Sequence, residues 1–266
     1  MGLFSRIKTL WYRLFAGSYP WPAQDVSLPG GRELHLVGSI HMGTRDMSPL
    51  PARLLKKIRQ ADALIVEADV SLNDSPFRDL PACTTLDERL SDAQMAELEK
   101  RAQELGISLS ALTTQPLWQI AMVLQASQAQ QLGLRADYGI DFQLLRAARR
   151  EQVKIIELEG TDDQITLLRE LPDGGLALLE DSLHHWHTNA RLLQLMVSWW
   201  LEHPPTNNSG LAALPSTFSE SLFDVLMHQR NRRWCERLRE LPPGRYVVAV
   251  GALHLYGSDN LVEMLK

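Results

Sequence analysis

Cysteine is scarce in this sequence: 266 residues carry only Cys83 and Cys235. The two form no CxxC pair, which removes a zinc knuckle and a redox dithiol from consideration. A chain of this length buries enough surface to fold without a cross-link, so two free thiols in a reducing compartment is the simpler reading. Long apolar runs are also missing. Arg6, Lys8 and Arg13 interrupt every candidate near the start, which argues against a secretory signal and against a membrane-spanning helix. Walker A, dinucleotide-fingerprint, GxSxG, EF-hand and HExxH patterns are all absent. So is an excess of basic charge. The 27 Lys and Arg residues against 32 Asp and Glu leave a formal charge of -5, which speaks against a general nucleic-acid binder.

What remains is an ordinary globular composition, 45% apolar and 22% charged. Residues 1–24 read as an amphipathic helix and linker. Leu3, Phe4, Ile7, Leu10, Trp11, Leu14 and Phe15 form its apolar stripe, and no acidic residue precedes Asp25. That helix either docks on its own domain or meets a membrane surface through residues 3–15. The expected location is cytoplasmic, at most peripheral to a membrane. Residues 25–266 read as a single α/β domain, a central sheet with surrounding helices and a helical insertion over about 90–135.

SYPWPAQ and LPGG read as loop and turn, then ELHLVGSI as a strand. ARLLKKIRQAD follows as a helix, with Asp46 or Ser48 as its cap and Pro49 or Pro51 in its first turn. ALIVEADV is the next strand, completing a βαβ crossover. Ser91 with Gln94 makes a capping box for LSDAQMAELEKRAQEL, and Gly106 closes that helix. LWQIAMVLQASQAQQLG is apolar and helical, and VKIIELEG is a third strand. GLALLEDSLHHWHTNARLLQLMVSWWLEH reads as one long helix. SLFDVLMHQRNRRWCERLREL reads as another, and RYVVAVGALHLYG as the last strand.

Two stretches stand out against this background. LHLVGSIHMG and VAVGALHLYG are apolar, strand-like runs that each enter glycine and present histidine three residues later. The first gives Gly38, His41 and Gly43; the second gives Gly251, His254 and Gly257. Either these are two separate structural corners, or two loops carry two imidazoles to one place. Open α/β sheets gather functional residues at the C-terminal ends of their strands, where both histidines fall. Glu67 or Asp69 would add a carboxylate from ALIVEADV, and Glu157 or Glu159 one from VKIIELEG. An acid at the end of a buried strand is costly unless it is paired, hydrated or metal-bound.

Two neutral imidazoles and a carboxylate suit Zn²⁺, Mn²⁺, Co²⁺ or Fe²⁺, whose bound water becomes a nucleophile. A metal-free site would use one histidine as base and the other as acid. His184, His185 and His187 read as surface or packing residues, and Trp199 and Trp200 as core. Arg230 and Asn231 interrupt an amphipathic helix. They belong to a solvated face, unless the helix borders the pocket and Arg230 binds a substrate or ligand carboxylate.

Taken with Glu67, Tyr138-Gly139-Ile140-Asp141, Leu158-Glu159 and Arg230-Asn231, the paired motifs resemble the TraB/GumN family. That family is related to the Tiki proteases, and the likeness is strongest to its short enterobacterial members of unassigned function. The resemblance covers about Val26 to Leu265. It implies a Tiki- or erythromycin-esterase-like core and a divalent-metal-dependent hydrolase that cleaves a peptide or related amide. His41, Glu67 and His254 would be its catalytic and metal-binding residues. Asp141, Glu159, Arg230 and Asn231 would support them or contact a peptide or small-molecule substrate. Other branches imply a non-catalytic protein that binds haem or a small ligand. A third reading is a membrane-associated interaction protein acting through residues 3–15. The second motif departs from the first by one residue before its closing glycine, so the two halves are not identical repeats.

Overall fold

The computed structural model describes residues 19–69, 82–202, 204–205, 214–257 and 259–266. The amphipathic segment over residues 3–15 and the NNSG loop therefore lie outside the described residues. Five strands make one sheet: β1 (Ala23–Leu28), β2 (Arg32–Ser39), β3 (Ala63–Val66), β4 (Lys154–Glu157) and β5 (Gly244–Gly251), in spatial order β1-β2-β5-β3-β4. β1 runs antiparallel to β2, and the other neighbours are parallel. The last strand thus slots between the two strands of the first βαβ unit. It is apolar on both faces, with Tyr246 through Val250 buried, as a central parallel strand must be. Mixed α/β architecture and a single sheet are as the sequence implies.

β1 is a correction. Its residues, AQDVSL, sit in and just after the stretch read as loop, because only Val26 and Leu28 are buried along it. An edge strand needs only one apolar face, and Pro22, Gln24, Asp25 and Ser27 hide the alternation. A tight turn through Pro29–Gly31 joins it to β2, placing Asp25 opposite His35.

The helices in chain order are α1 (Ala52–Arg59), α2 (Asp92–Leu105), α3 (Leu117–Gln131), α4 (Ile140–Arg150), α5 (Thr161–Arg169), α6 (Leu176–His184), α7 (Trp186–Leu201), α8 (Glu220–Phe223), α9 (Gln229–Arg239), α10 (Ala252–Leu255) and α11 (Leu261–Leu265). α2 begins as expected: the Ser91 hydroxyl accepts from Gln94 N–H, and Gly106 closes it in the left-handed conformation. α1 differs. Pro51, not Asp46 or Ser48, is its N-cap, and Asp46 lies in a separate 3₁₀ turn, Arg45–Met47. The long helix expected over residues 175–203 is two helices that break at His185, although no Pro or Gly marks the spot. Leu178, Leu179, Leu183 and Trp186 pack in a helical cluster with Leu98, Leu117, Trp118 and Leu124, whereas Met196, Trp199 and Trp200 pack on the sheet. The chain turns at His185 from one core to the other.

Both tryptophans are core, as read. His184 and His187 are exposed and belong to no group of three or more metal-ligating side chains among the described residues. No described helix is long and apolar enough to cross a membrane. Cys83 and Cys235 are free thiols.

Candidate functional site

Register brings the two motifs together. β2 and β5 are hydrogen-bonded parallel neighbours, with Gly38 opposite Val250 and Ser39 opposite Gly251. Both chains leave the sheet side by side at its C-terminal edge. A Cβ on Gly38 would lie 3.2 Å from the Cα and Cβ of Ala252, so the bare glycine lets the second loop press against the first. Trp200 adds a clamp by donating its indole N–H to the Gly38 carbonyl at 3.0 Å. β5 ends at Gly251, earlier than the sequence implies, and His254 rides on the short helical turn α10. Gly257 then takes φ +114°, a conformation an L side chain rarely adopts.

The first loop is held from the other side by Tyr138-Gly139-Ile140-Asp141. Ile140 N–H donates to the Ile40 carbonyl at 2.9 Å, while Gly43 and Arg135 exchange two backbone bonds of 3.0 and 2.8 Å. A Cβ on Gly139 would collide with the His41 carbonyl, and one on Gly43 with the Tyr138 carbonyl. Asp141, in the first turn of α4, thereby reaches His41 Nδ1 at 2.9 Å. Asp141 is buried, whereas the His41 side chain is 66% exposed. The Asp141 carboxylate pushes His41 up to about 9, so the imidazole is cationic at neutral pH. Because the ring opens to water, screening keeps the energetic worth of that pair small.

Glu67 and Glu159 are aligned by backbone. Past the last β3–β4 pair, Leu158 N–H donates to the Val66 carbonyl at 2.7 Å and Glu159 N–H to the Glu67 carbonyl at 2.8 Å. Arg230, on α9, spans both buried carboxylates. Its Nε and Nη2 donate to Glu159 at 2.9 and 3.0 Å, and Nη2 also reaches Glu67 Oε2 at 2.6 Å. Trp234 donates to Glu159 Oε1 at 2.9 Å and stacks on the guanidinium at 4.6 Å. The other Glu67 oxygen accepts from Gly251 N–H at 2.6 Å, which ties the acid of β3 to the glycine of β5. Burial by itself raises the Glu67 carboxyl, but Arg230, His254, His41 and the Gly251 N–H outweigh it and hold the group at about 2.

His254 is almost fully buried. Its Nδ1 lies 2.7 Å from Asn231 Oδ1, and Asn231 Nδ2 donates to the Asp259 carbonyl at 3.2 Å. With the amide so oriented, Nδ1 carries the proton and Nε2 keeps its lone pair, facing Arg230 Nη1 at 3.4 Å. Burial drives His254 down to about 3; the Glu67 charge opposes this, while Arg230 and His41 reinforce it. The site therefore holds one protonated and one neutral imidazole at neutral pH, set apart by their surroundings.

Every residue of the expected site reaches this edge of the sheet. His41, Glu67, Asp141, Glu159, Arg230, Asn231 and His254 form one cluster. The alternative acids go elsewhere: Asp69 pairs with Arg149, and Glu157 accepts from Asp69 N–H at 2.6 Å. Trp234 and Trp200 are the contributors that sequence reading missed. Trp234 lies one turn beyond Arg230 on the same helix, a spacing that could have signalled it.

The donor set does not fit a resident divalent ion in this arrangement. No group of three or more His, Cys, Asp or Glu side chains is poised to hold one among the described residues. Both Glu67 oxygens are engaged, and a guanidinium faces His254 Nε2 and neutralises the carboxylates that would attract a cation. An ion would have to displace Arg230.

Among known proteins, the TraB/PrgY/gumN family model matches residues 24–266. The chain is 64% identical to "Uncharacterized protein YbaP" of Escherichia coli (strain K12) over 266 residues, covering all of both chains. It is likewise 64% identical, with full coverage of each, to "Uncharacterized protein YbaP" of Shigella flexneri. No solved structure matches. A match that spans the sheet, both glycine–histidine loops and the helix bearing Arg230 leaves one conclusion: the chain belongs to the TraB/PrgY/gumN family.

Proposed function

We propose that the chain is a hydrolase of a peptide or related amide, working at the cluster of His41, Glu67, Arg230 and His254. The observation that carries this reading is the pairing of a cationic, solvent-reaching imidazole with a neutral one whose Nε2 lone pair points into the same cluster. Arg230 Nη1 turns from His254 Nε2 to the substrate carbonyl oxygen, and the freed Nε2 takes a proton from water as the water oxygen attacks the carbonyl carbon. His41 gives its proton to the departing nitrogen, so the C–N bond breaks and an amine leaves. Arg230 supplies positive charge where the carbonyl oxygen becomes an oxyanion, and Glu67 and Glu159 hold it there. Asn231 fixes the His254 tautomer. A base held near 3 is far below the optimum for general-base catalysis at neutral pH, so turnover by this route is slow.

The divalent-metal route (Mn, Co, Zn or Fe) remains the family-based alternative, and it requires Arg230 to withdraw from Glu67. Haem ligation by His254 is disfavoured, since this residue is buried and its Nε2 faces a guanidinium.

The test is hydrolysis of a panel of N-acyl amino-acid amides followed by mass spectrometry. It compares the parent protein, His41→Ala and His254→Ala, each with chelator or with added Mn²⁺, Co²⁺ or Zn²⁺. Chelator-resistant turnover lost in both variants supports the proposal. Turnover seen only with added metal moves the mechanism to the metal route. Variants that are folded by circular dichroism and fully active eliminate the site.

A further inference from the structure

A cavity of about 350 Å³ opens beside the second loop, lined by Leu214, Phe218, Phe223, Met227, Leu253 and Tyr256 with a few small or polar neighbours. That volume falls at the lower end of small-ligand pockets, about 300–1,000 Å³. Its walls continue the two elements that carry the cluster. Leu253 immediately precedes His254 on α10, and Tyr256 and Gly257 follow it. Met227, also in the lining, lies three residues before Arg230 in a continuous helix.

That helix is irregular at this point. Between α8 and α9 the chain makes a π-helical turn over Asp224–His228, which widens the helix where Phe223 and Met227 meet the cavity. π turns are uncommon and recur at functional sites, because the extra residue re-aims side chains. Among the described residues the lining holds a single charged one, Glu220, which would repel an anionic occupant. An uncharged apolar group suits the walls.

We infer that this cavity is the side-chain subsite of the same site, and that it takes a bulky, uncharged apolar side chain, aromatic or long aliphatic, next to the amide being cleaved. The inference rests on the hydrolase reading for its orientation, with the backbone of the bound group running past His254 and Arg230. It adds a substrate class: amides of large apolar residues are preferred over those of glycine or acidic residues.

Binding and turnover are measured separately, with N-acetyl-phenylalaninamide, N-acetyl-leucinamide, N-acetyl-glycinamide and N-acetyl-aspartamide as probes. Calorimetry on the full chain gives affinity, and mass spectrometry gives product. The phenylalanine and leucine probes are expected to bind about tenfold or more tighter than the glycine and aspartate probes, the scale on which apolar pockets discriminate. Leu253→Trp, which fills the cavity, removes that preference, so that the phenylalanine and leucine probes bind no tighter than the glycine probe. Phe223→Ala, which enlarges it, shifts preference toward N-acetyl-tryptophanamide. If one variant does not fold, the other carries the comparison. Equal affinity for all probes in the parent protein overturns the subsite, as does a preference that survives Leu253→Trp. Apolar preference in binding without turnover of any probe keeps the subsite and removes the hydrolase; turnover without preference does the reverse.

Discussion

Replacing Arg230 with methionine (R230M) tests the electrostatic core of the site, because it removes the cation and keeps an apolar stem of similar reach. In the parent protein Glu67 is held at about 2 against an ordinary 4.5. At about 1.4 kcal/mol per unit, that difference is worth on the order of 3 kcal/mol of stability at neutral pH. His254, His41 and the Gly251 N–H supply part of it, but Arg230 also neutralises buried Glu159, so the guanidinium serves two acids. Removing one member of a buried ion cluster typically costs about 3–5 kcal/mol, and that range is the expected loss at pH 7. The pH dependence carries a sign. A carboxyl held low stabilises the parent fold above the unfolded value of 4.5, and that contribution is lost as pH falls through about 2. In R230M burial dominates and lifts the carboxyl above its unfolded value, so its penalty is largest at neutral pH and fades as the acid protonates. Guanidinium denaturation followed by tryptophan fluorescence, at pH 7 and again near pH 4, reads both effects. A deficit under about 1 kcal/mol at pH 7, or one that does not narrow in acid, would refute the reasoning.

The same variant exposes the donor set: with Glu67 Oε2, Glu159 and His254 Nε2 released, Zn²⁺ at about 100 times its dissociation constant should stabilise R230M by about 3 kcal/mol and the parent far less, as thermal melts with and without chelator would reveal. Asp141→Asn should return His41 from about 9 toward the ordinary 6.5, seen in an NMR titration of the ring protons; the raised group stabilises the parent below 6.5 and loses that effect as pH rises through about 9, so any alkaline limit on turnover should move down in the variant. Gly139→Ala drives a methyl group into the His41 carbonyl and should cost a few kcal/mol in denaturant while also lowering turnover; an unchanged midpoint would contradict the close packing of the two segments. Ser91→Ala should cost about 1 kcal/mol and leave any activity intact, since it removes only the α2 cap.

The site was legible residue by residue, but its chemistry was not. His41 and His254 announce themselves because glycine, apolar run and histidine recur at matched spacing, and Glu67 because an acid ends a buried strand. Nothing local distinguishes Glu67 from Asp69, or Glu159 from Glu157. That choice follows from which partner the fold brings to each acid: Arg230 reaches Glu67 and Glu159, whereas Arg149 takes Asp69 and the Asp69 N–H takes Glu157. Arg230 itself reads equally well as surface or as pocket until α9 is placed over the strand ends.

By itself the sequence determined what depends on near neighbours: the α2 cap, the burial of β5 and the short apolar runs that make β2 and β3 strands. Hydrogen bonds and burial within a few residues set these. Only tertiary structure decided that β5 enters between β2 and β3, that β1 pairs at the edge, and that one long helical pattern breaks at His185 to serve two cores. Each of those outcomes comes from contacts between segments far apart in the chain, which local propensity does not encode. The protonation of the two histidines belongs to the same class. Both begin near 6.5, and only the surroundings send one to about 9 beside an aspartate and the other to about 3 in a buried, arginine-faced pocket.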